Sequence, residues 1–165
     1  MTAPENKLKT LDELAVECSS WRERGLDVVL VNGAFDVLHV GHLRYLAAAH
    51  ALGDRLVVAV NSDLSVREGK GQRRPIIPEG ERVEILSHLW MVDRICLFDS
   101  LTVGPVLDML RPSIHAKGTD YTVDSVPERE VVAAYGGRTE ICGDPKDHAT
   151  TDLIGVILER FGTKT

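Results

Sequence analysis

No stretch of the sequence approaches the roughly 20 consecutive apolar residues that a membrane-spanning helix needs. The N-terminal stretch MTAPENKLKTLDEL also lacks an apolar run followed by a small-residue cleavage site, which a secretory signal peptide requires. Aromatic residues make up only 5% of the chain, yet the hydrophobic fraction reaches 44%, which is enough for a folded core. We therefore expect a soluble, cytoplasmic protein with no membrane partner.

Cysteine is scarce as well. The three cysteines, Cys18, Cys96 and Cys142, are odd in number, widely spaced and without a CxxC pair. Cysteine zinc sites need closely spaced pairs, and structural disulfides are rare in cytosolic proteins. The pattern predicts buried, reduced thiols and no cysteine metal site.

Positive charge is in deficit, because the formal net charge is -6. Proteins whose main partner is a nucleic acid cluster Lys and Arg on one surface, so we expect no nucleic-acid partner. One basic cluster, REGKGQRR at residues 67–74, interrupts the acidic background. It either binds a small anion or forms a solvated surface loop, and composition does not decide between the two.

The 165 residues contain no internal repeat, low-complexity tract or Pro/Ser-rich linker, so we expect one domain spanning residues 1–165. Apolar runs predict strands at residues 27–32, 55–61, 94–98, 113–117 and 138–142. Helical spacing predicts helices within residues 11–18, 43–52, 79–89, 103–110, 127–135 and 151–161. This alternation predicts an α/β, Rossmann-like fold, a doubly wound five-stranded parallel sheet with helices on both faces.

The most informative stretch is NGAFDVLHVGH, residues 32–42, which follows the first predicted strand. It matches neither GxGxxG nor GxxxxGKS/T, so it is neither the usual dinucleotide loop nor a P-loop. A helix that begins near Gly41 presents free backbone N–H groups and a partial positive charge, which favour an anion. Imidazoles at His39 and His42 would add hydrogen-bond donors, so the spacing suits a triphosphate.

Taken alone, the HxxH spacing also fits two histidines on a helix surface or part of a zinc site. No third ligand at metal-like spacing accompanies the pair. The strand before it and the glycine within it favour phosphate binding over both alternatives.

The stretch NGAFDVLHVGHLRYL resembles the HxGH signature of the cytidylyltransferase-like nucleotidyltransferases, whose motif binds the nucleotide phosphates. Further segments resemble the heptose 1-phosphate nucleotidyltransferases and occur in the same order: VNSD (60–63), KGQRRPIIPEGER (70–82), VDRI (92–95), LRPSIHAKGTDY (110–121), YGG (135–137) and ATTDLI (149–154). The resemblance covers about residues 8–160. Each short segment is weak evidence alone, but their common order makes the resemblance strong.

The resemblance implies roles for individual residues. His39 and His42 would stabilise charge at the α-phosphorus and on the departing pyrophosphate. Lys70 would close over the phosphates on a glycine-flanked loop, and Arg82 would reach in from the next helix as a further catalytic residue. The nucleotide-binding residues implied in the same way are Asn32, Gly33, Phe35, Asp36, Gly41, Lys117, Gly118, Asp120, Thr150 and Thr151.

Simpler roles stay open for three of these residues. Asp36 could be a turn acid, Arg82 a solvated helix residue and Thr150 an N-cap. The sequence identifies no metal ligands, although the resemblance implies Mg²⁺ bound together with the nucleotide.

The implied reaction is transfer of a nucleoside monophosphate from NTP, with ATP expected, to D-glycero-D-manno-heptose 1-phosphate. The first alternative is a glycerol-phosphate-type cytidylyltransferase, which carries arginine and serine where this chain has Asp144 and Ala149. A GTP-dependent heptose 1-phosphate guanylyltransferase and a nucleotide-binding regulatory module without turnover also stay open. Discrimination between ATP and GTP does not follow from the sequence.

The resemblance also implies partners. The substrates are small molecules, an NTP and a sugar 1-phosphate, and a separate heptose kinase would supply the 1-phosphate. We expect a homodimer. The product could enter lipopolysaccharide biosynthesis or another glycoconjugate, and the sequence does not distinguish these destinations.

Overall fold

A computed structural model describes residues 7–145 and 148–162. Its strands are β1 (Val28–Gly33), β2 (Arg55–Asn61), β3 (Arg94–Phe98), β4 (Ile114–Lys117) and β5 (Arg138–Ile141). They form a parallel sheet in the order β3-β2-β1-β4-β5. Each strand lies within one residue of its predicted bounds, and the signal is clearest at β1 and β2, which are apolar runs between polar turns.

The helices are α1 (Leu11–Glu23), α2 (Val40–His50), α3 (Asp63–Lys70), α4 (Glu79–Ser87), α5 (Gly104–Leu110), α6 (Arg129–Ala134) and α7 (Thr150–Phe161). A short 3-10 helix covers Val123–Ser125. The Thr10 hydroxyl caps α1 by accepting from the Glu13 N–H at 3.3 Å. Gly25, with φ of 73°, follows its C-terminus in the left-handed conformation expected from the sequence. None of the helices within the described ranges is long and apolar enough to cross a membrane.

Two apolar clusters cover the two faces of the sheet. On β1, Val29 and Val31 pack on one face with α2 and α4, whereas Val28 and Leu30 pack on the other with α1, α5 and α6. Successive strand residues point to opposite faces, so a strand covered on both sides must be apolar throughout. The doubly wound sheet predicted from the sequence is confirmed.

The sheet changes its winding direction between β1 and β4. From β1 the chain proceeds through β2 to the edge strand β3, then crosses to the other side of β1 to form β4 and β5. In such sheets a crevice opens outside the carboxyl ends of the strands at this switch point. The motif at residues 32–42 begins at the end of β1 and therefore lies at that crevice.

The basic cluster is not a continuous loop. Residues 67–70 belong to α3, whose N-cap Ser62 accepts a hydrogen bond from the Ser65 N–H at 3.2 Å. The prediction of a loop around Lys70 is therefore wrong for residues 67–70. Lys70 ends α3, and the chain turns at Gly71, where φ is 92°. The sequence of α3 is short and contains only two apolar residues, Leu64 and Val66, so no helix was predicted there.

The cysteines are free, as predicted. Cys18 and Cys96 are buried in the core, and burial raises their thiol pKa values to about 11 and about 12. Cys142 is only half-buried, at the edge of the crevice. Raised pKa values keep the thiols protonated near neutral pH, so they are poor metal ligands and nucleophiles.

Candidate active site

A cavity of about 710 Å³ occupies the crevice at the carboxyl ends of β1 and β4. It is lined by the end of β1, the start of α2, the end of β4 and the start of α7. Of the predicted site residues, the cavity brings together His39, His42, Lys70, Asn32, Gly33, Phe35, Asp36, Gly41, Lys117, Gly118, Asp120, Thr150 and Thr151. Arg82 is not among the described residues that line it.

The histidine pair opens α2. His39 is the N-cap residue, and its ring centroid lies 4.0 Å from that of His42. The His39 backbone N–H donates to His42 Nδ1 at 3.3 Å. Because Nδ1 of His42 is an acceptor in this bond, neutral His42 carries its proton on Nε2. The folded backbone thus presets His42 as an N–H donor in a cavity suited to anions.

Gly41 is needed for this packing. A Cβ at this position would lie 3.0 Å from ring atoms of His39 and 3.3 Å from Cβ of His148. Any larger residue would therefore displace one imidazole. The glycine in the motif allows two histidines and the helix N-terminus to share one small volume.

Burial favours the neutral form of both motif histidines. Burial, then the neighbouring His39 and Lys70, lowers the pKa of His42 to about 4. Burial and His148 also lower the pKa of His39, and Asp152 opposes this shift. Opposite charge favours the protonated form, so a bound polyphosphate would raise both pKa values.

Acid is expected to destabilise the fold through His42. Its pKa of about 4 in the folded protein lies below the ordinary 6.5, so the unfolded chain binds a proton first as the pH decreases. The free energy of unfolding should therefore fall from about pH 6.5 towards about pH 4, and less steeply in His42→Ala. Urea unfolding at about pH 7 and about pH 5 measures this. Equal losses in wild type and variant would contradict the lowered pKa.

Asp36 is buried and its carboxylate is fully engaged. It accepts from Arg74 Nε at 2.6 Å and from the backbone N–H groups of Ile76 and Ile77, at 2.9 Å for Ile77. Burial raises the pKa of Asp36, but these hydrogen bonds outweigh it and the net pKa is lowered. Asp36 therefore holds residues 74–77 against the motif instead of presenting a free carboxylate to the cavity.

The turn around Asp36 is strained. Phe35 and Val37 have φ values of 48° and 53°, a region that L-residues rarely occupy, least of all β-branched ones. The Asp36 backbone carbonyl also accepts from the Thr150 hydroxyl at 2.9 Å, which ties α7 to the same turn. Such strain persists only where surrounding contacts fix the conformation, and it often marks a functional site.

Arg82 lies beneath the cavity instead of in it. Its side chain is fully buried, and its guanidinium donates to the carbonyls of Ala34, Asn61 and Ile77. It also pairs with Asp63 at 2.8 Å. The guanidinium thus joins the ends of β1 and β2, the start of α3 and the segment before α4. The alternative in which Arg82 is a solvated helix residue is therefore wrong. Direct contact of Arg82 with the phosphates stays a prediction.

The opposite wall is formed by the end of β4. Lys117 Nζ donates to Asn32 Oδ1 at 3.4 Å and lies 4.6 Å from the centroid of the Tyr121 ring. Burial lowers the pKa of Lys117, while Glu128 and Asp120 oppose that shift. A Cβ at Gly118 would lie 3.0 Å from Asp120 Oδ1, so glycine lets this turn close tightly.

Several lining residues were not assigned from the sequence. Arg44 and Asp144 form an ion pair at 3.0 Å at the cavity rim, and the Tyr45 hydroxyl donates to the Ala116 carbonyl at 2.7 Å. Arg44 and Tyr45 follow the histidine pair within one turn of α2. This proximity to the motif could have identified them as lining residues from the sequence. The other unassigned lining residues are Ala34, Asn61, Arg74, Thr119, Tyr121, Cys142, Gly143, Pro145, His148 and Ala149.

The fold and the cationic crevice with its histidine pair are those of a nucleotidyltransferase. The chain belongs to the cytidylyltransferase-like family, which matches residues 30–157. This confirms the resemblance drawn from the motifs. Members of this family typically use a divalent metal.

Comparison with curated proteins finds close relatives. The chain is 44% identical to the Bifunctional protein HldE of Geobacter sulfurreducens over 94% of this chain and 32% of that protein. It is 45% identical to the protein of the same name from Citrifermentans bemidjiense over 95% of this chain and 32% of that one. The chain therefore spans about a third of the length of these relatives.

A solved structure is also similar. The crystal structure of the lipopolysaccharide core biosynthesis protein from Thermoplasma volcanium superposes with a TM-score of 0.60 at 32% identity. The match covers 71% of this chain and 94% of that one. It supports the Rossmann-like assignment independently of the motifs.

Proposed function

We propose that the protein transfers AMP from ATP to D-glycero-D-manno-heptose 1-phosphate and releases pyrophosphate. The observation that carries this proposal is the pair His39 and His42 at the start of α2, inside a crevice that Lys70 and Lys117 also line. The motif order typical of heptose 1-phosphate nucleotidyltransferases and the HldE relatives support the acceptor. The same motif order supports a nucleoside monophosphate as the transferred group.

The chemistry needs little beyond positioning and charge. An oxygen of the acceptor phosphate attacks the α-phosphorus in line, and the bond to the β-phosphate breaks to release pyrophosphate. A phosphate monoester is already ionised near neutral pH, so no general base is required, and Asp36 is not available as one. Imidazole N–H groups and lysine side chains stabilise the negative charge that moves onto the leaving group.

We propose Mg²⁺ as the divalent metal. Among residues 7–145 and 148–162 no group of three or more His, Cys, Asp or Glu side chains could hold a metal ion. At nucleotide sites Mg²⁺ is bound chiefly by phosphate oxygens and water with one or two carboxylates. Asp36, Asp120 and Asp144 line the cavity, and we propose Asp120 as the carboxylate that would contribute. When bound, the ion neutralises charge on the phosphates.

The cellular setting follows from the substrates. A kinase that phosphorylates heptose at C1 must supply the acceptor, and we expect a separate polypeptide to carry it. Nucleotides and sugar phosphates are cytoplasmic metabolites, so the protein would act in the cytoplasm. We also expect a homodimer, which sedimentation at several protein concentrations would test.

ATP is expected to exceed CTP as donor by at least about tenfold in kcat/KM, with GTP second, because one lost hydrogen bond to the base can supply that factor. Asp144 and Ala149, which replace the arginine and serine of the cytidylyltransferase pattern, both line the cavity. Pyrophosphate release with each NTP and both anomers of heptose 1-phosphate measures this preference. CTP as the best donor, with glycerol 3-phosphate as acceptor, would favour the cytidylyltransferase alternative. Nucleotide binding without release by any pair would indicate a regulatory module.

A further inference from the structure

His115 is a histidine in the core behind the cavity. It lies in β4 in register with Leu30 of β1 and Thr139 of β5, and its side chain is fully buried. It is not among the described residues that line the cavity. An imidazole is costly in an apolar layer unless it is hydrogen-bonded, so its single polar contact requires an explanation.

That contact is with Asn32, which does line the cavity. His115 Nε2 lies 3.0 Å from Asn32 Oδ1, and Lys117 Nζ approaches the same atom at 3.4 Å. An ammonium group can only donate, so the shared atom must be the amide oxygen and not the nitrogen. It follows that His115 Nε2 carries the proton and donates it to Asn32.

The remaining nitrogen of the ring agrees with this assignment. His115 Nδ1 is buried without a hydrogen-bond partner in the described part of the chain, as an unprotonated lone pair in an apolar layer would be. Burial, then Lys117, lowers the pKa of His115 to about 3, so the ring stays neutral at any working pH. The tautomer is therefore fixed and does not titrate during function.

The orientation of the Asn32 amide follows from the bond. The hydrogen bonds of Asn32 to His115 and Lys117 are both made by Oδ1. The two polar atoms of an amide diverge, so the Nδ2 hydrogens are directed away from His115, and Asn32 itself lines the cavity. An amide flip would remove this donor and bring Nδ2 against the Lys117 ammonium.

We infer that His115 is a positioning residue for phosphate binding: it locks the Asn32 amide so that its N–H₂ group faces a phosphate oxygen in the cavity and Lys117 stays beside it. This inference rests on the proposed nucleotide site. It assigns a function to a histidine that contacts no substrate. Phosphate oxygens are pure acceptors, so a preset donor and a preset cation on this wall complement the histidines on the opposite wall.

Two substitutions separate positioning from packing. His115→Leu keeps an apolar body of similar size but removes the donor, whereas His115→Gln keeps a donor at about the reach of Nε2. We expect His115→Leu to weaken ATP binding about tenfold, as the loss of one preset hydrogen bond would. His115→Gln should bind ATP within about threefold of wild type. Isothermal titration calorimetry with ATP alone measures binding without requiring turnover.

A double-mutant cycle with Asn32→Ala identifies the route of the effect. If His115 acts through the amide, His115→Leu should have no further effect on ATP affinity once Asn32 is alanine. Thermal unfolding of each variant reports the packing contribution separately. The inference is overturned if His115→Leu binds ATP like wild type or if His115→Gln binds ATP as weakly as His115→Leu. It is also overturned if His115→Leu still weakens ATP binding when Asn32 is alanine.

The proposed function and this inference fail in different ways. If wild type binds ATP but releases no pyrophosphate with heptose 1-phosphate, the reaction is wrong while the calorimetric comparison still decides the role of His115. If wild type turns over and His115→Leu binds ATP normally, the reaction stands and the positioning role is wrong. If wild type does not bind ATP, both are wrong.

Discussion

His42→Ala is expected to lower kcat by about 10²-fold or more with the fold intact, comparable to removing a preorganised oxyanion donor. His42 is preset for this task, because the His39 backbone N–H occupies Nδ1 and leaves Nε2–H as the donor. Its pKa of about 4 keeps the ring neutral near pH 7, so this donor tautomer persists. A steady-state assay of pyrophosphate release measures the loss.

The matched control is His88→Ala, since His88 is exposed at the end of α4 and does not line the cavity. It should retain wild-type kcat. His39→Ala should resemble His42→Ala, because the two rings lie 4.0 Å apart and are both proposed to contact the nucleotide phosphates. Near wild-type turnover in both cavity variants would remove the pair from the mechanism.

Arg82→Ala is expected to lower the free energy of unfolding by about 3 kcal/mol or more, as breaking a buried, hydrogen-bonded ion pair typically does. The substitution would leave the carbonyls of Ala34, Asn61 and Ile77 without their donor and Asp63 without its partner. Arg82→Lys should recover little, because an ammonium cannot reproduce the guanidinium geometry. Urea unfolding followed by far-UV circular dichroism measures both variants.

The same variant decides between two roles for Arg82. Arg73→Ala, at an exposed position in the turn after α3, is the control and should change stability by less than about 0.5 kcal/mol. If Arg82→Ala unfolds like wild type yet loses turnover, then Arg82 moves to the phosphates during catalysis, as expected from its motif. Loss of both stability and turnover would show that Arg82 supports the structure of the site from beneath the cavity.

The sequence predicts the fold well because the central strands β1 and β2 are buried on both faces and are apolar along most of their length. Val28 to Val31 illustrate this, since alternate residues enter opposite cores and none can be polar. Once the sheet is parallel, segments that follow different strands must meet at one edge. That geometry, together with the motif resemblance, is why residues as distant as Gly41, Lys117 and Thr150 were expected in one cavity.

The sequence does not reveal which charged residues are buried. Arg82 and Arg73 look alike in a string of letters, but one satisfies three carbonyls in the interior and the other is exposed. Asp36 was expected near the reacting groups, whereas its carboxylate is saturated by Arg74 and two backbone N–H groups. Hydrogen bonds between distant segments decide such roles, and local sequence patterns do not predict these bonds.

The ion pair between Arg44 and Asp144 has a consequence for which positions accept substitution. Both side chains are about half exposed, at 48% and 53%, so their pairing adds little to stability. The turn from Asn32 to His42, by contrast, combines strain, burial and saturated hydrogen bonds, and there most replacements would be costly. Substitutions are therefore expected to lower stability little at the cavity rim and much more in the turn from Asn32 to His42. We therefore expect residues 44 and 144 to accept substitutions that leave the turn from Asn32 to His42 unchanged.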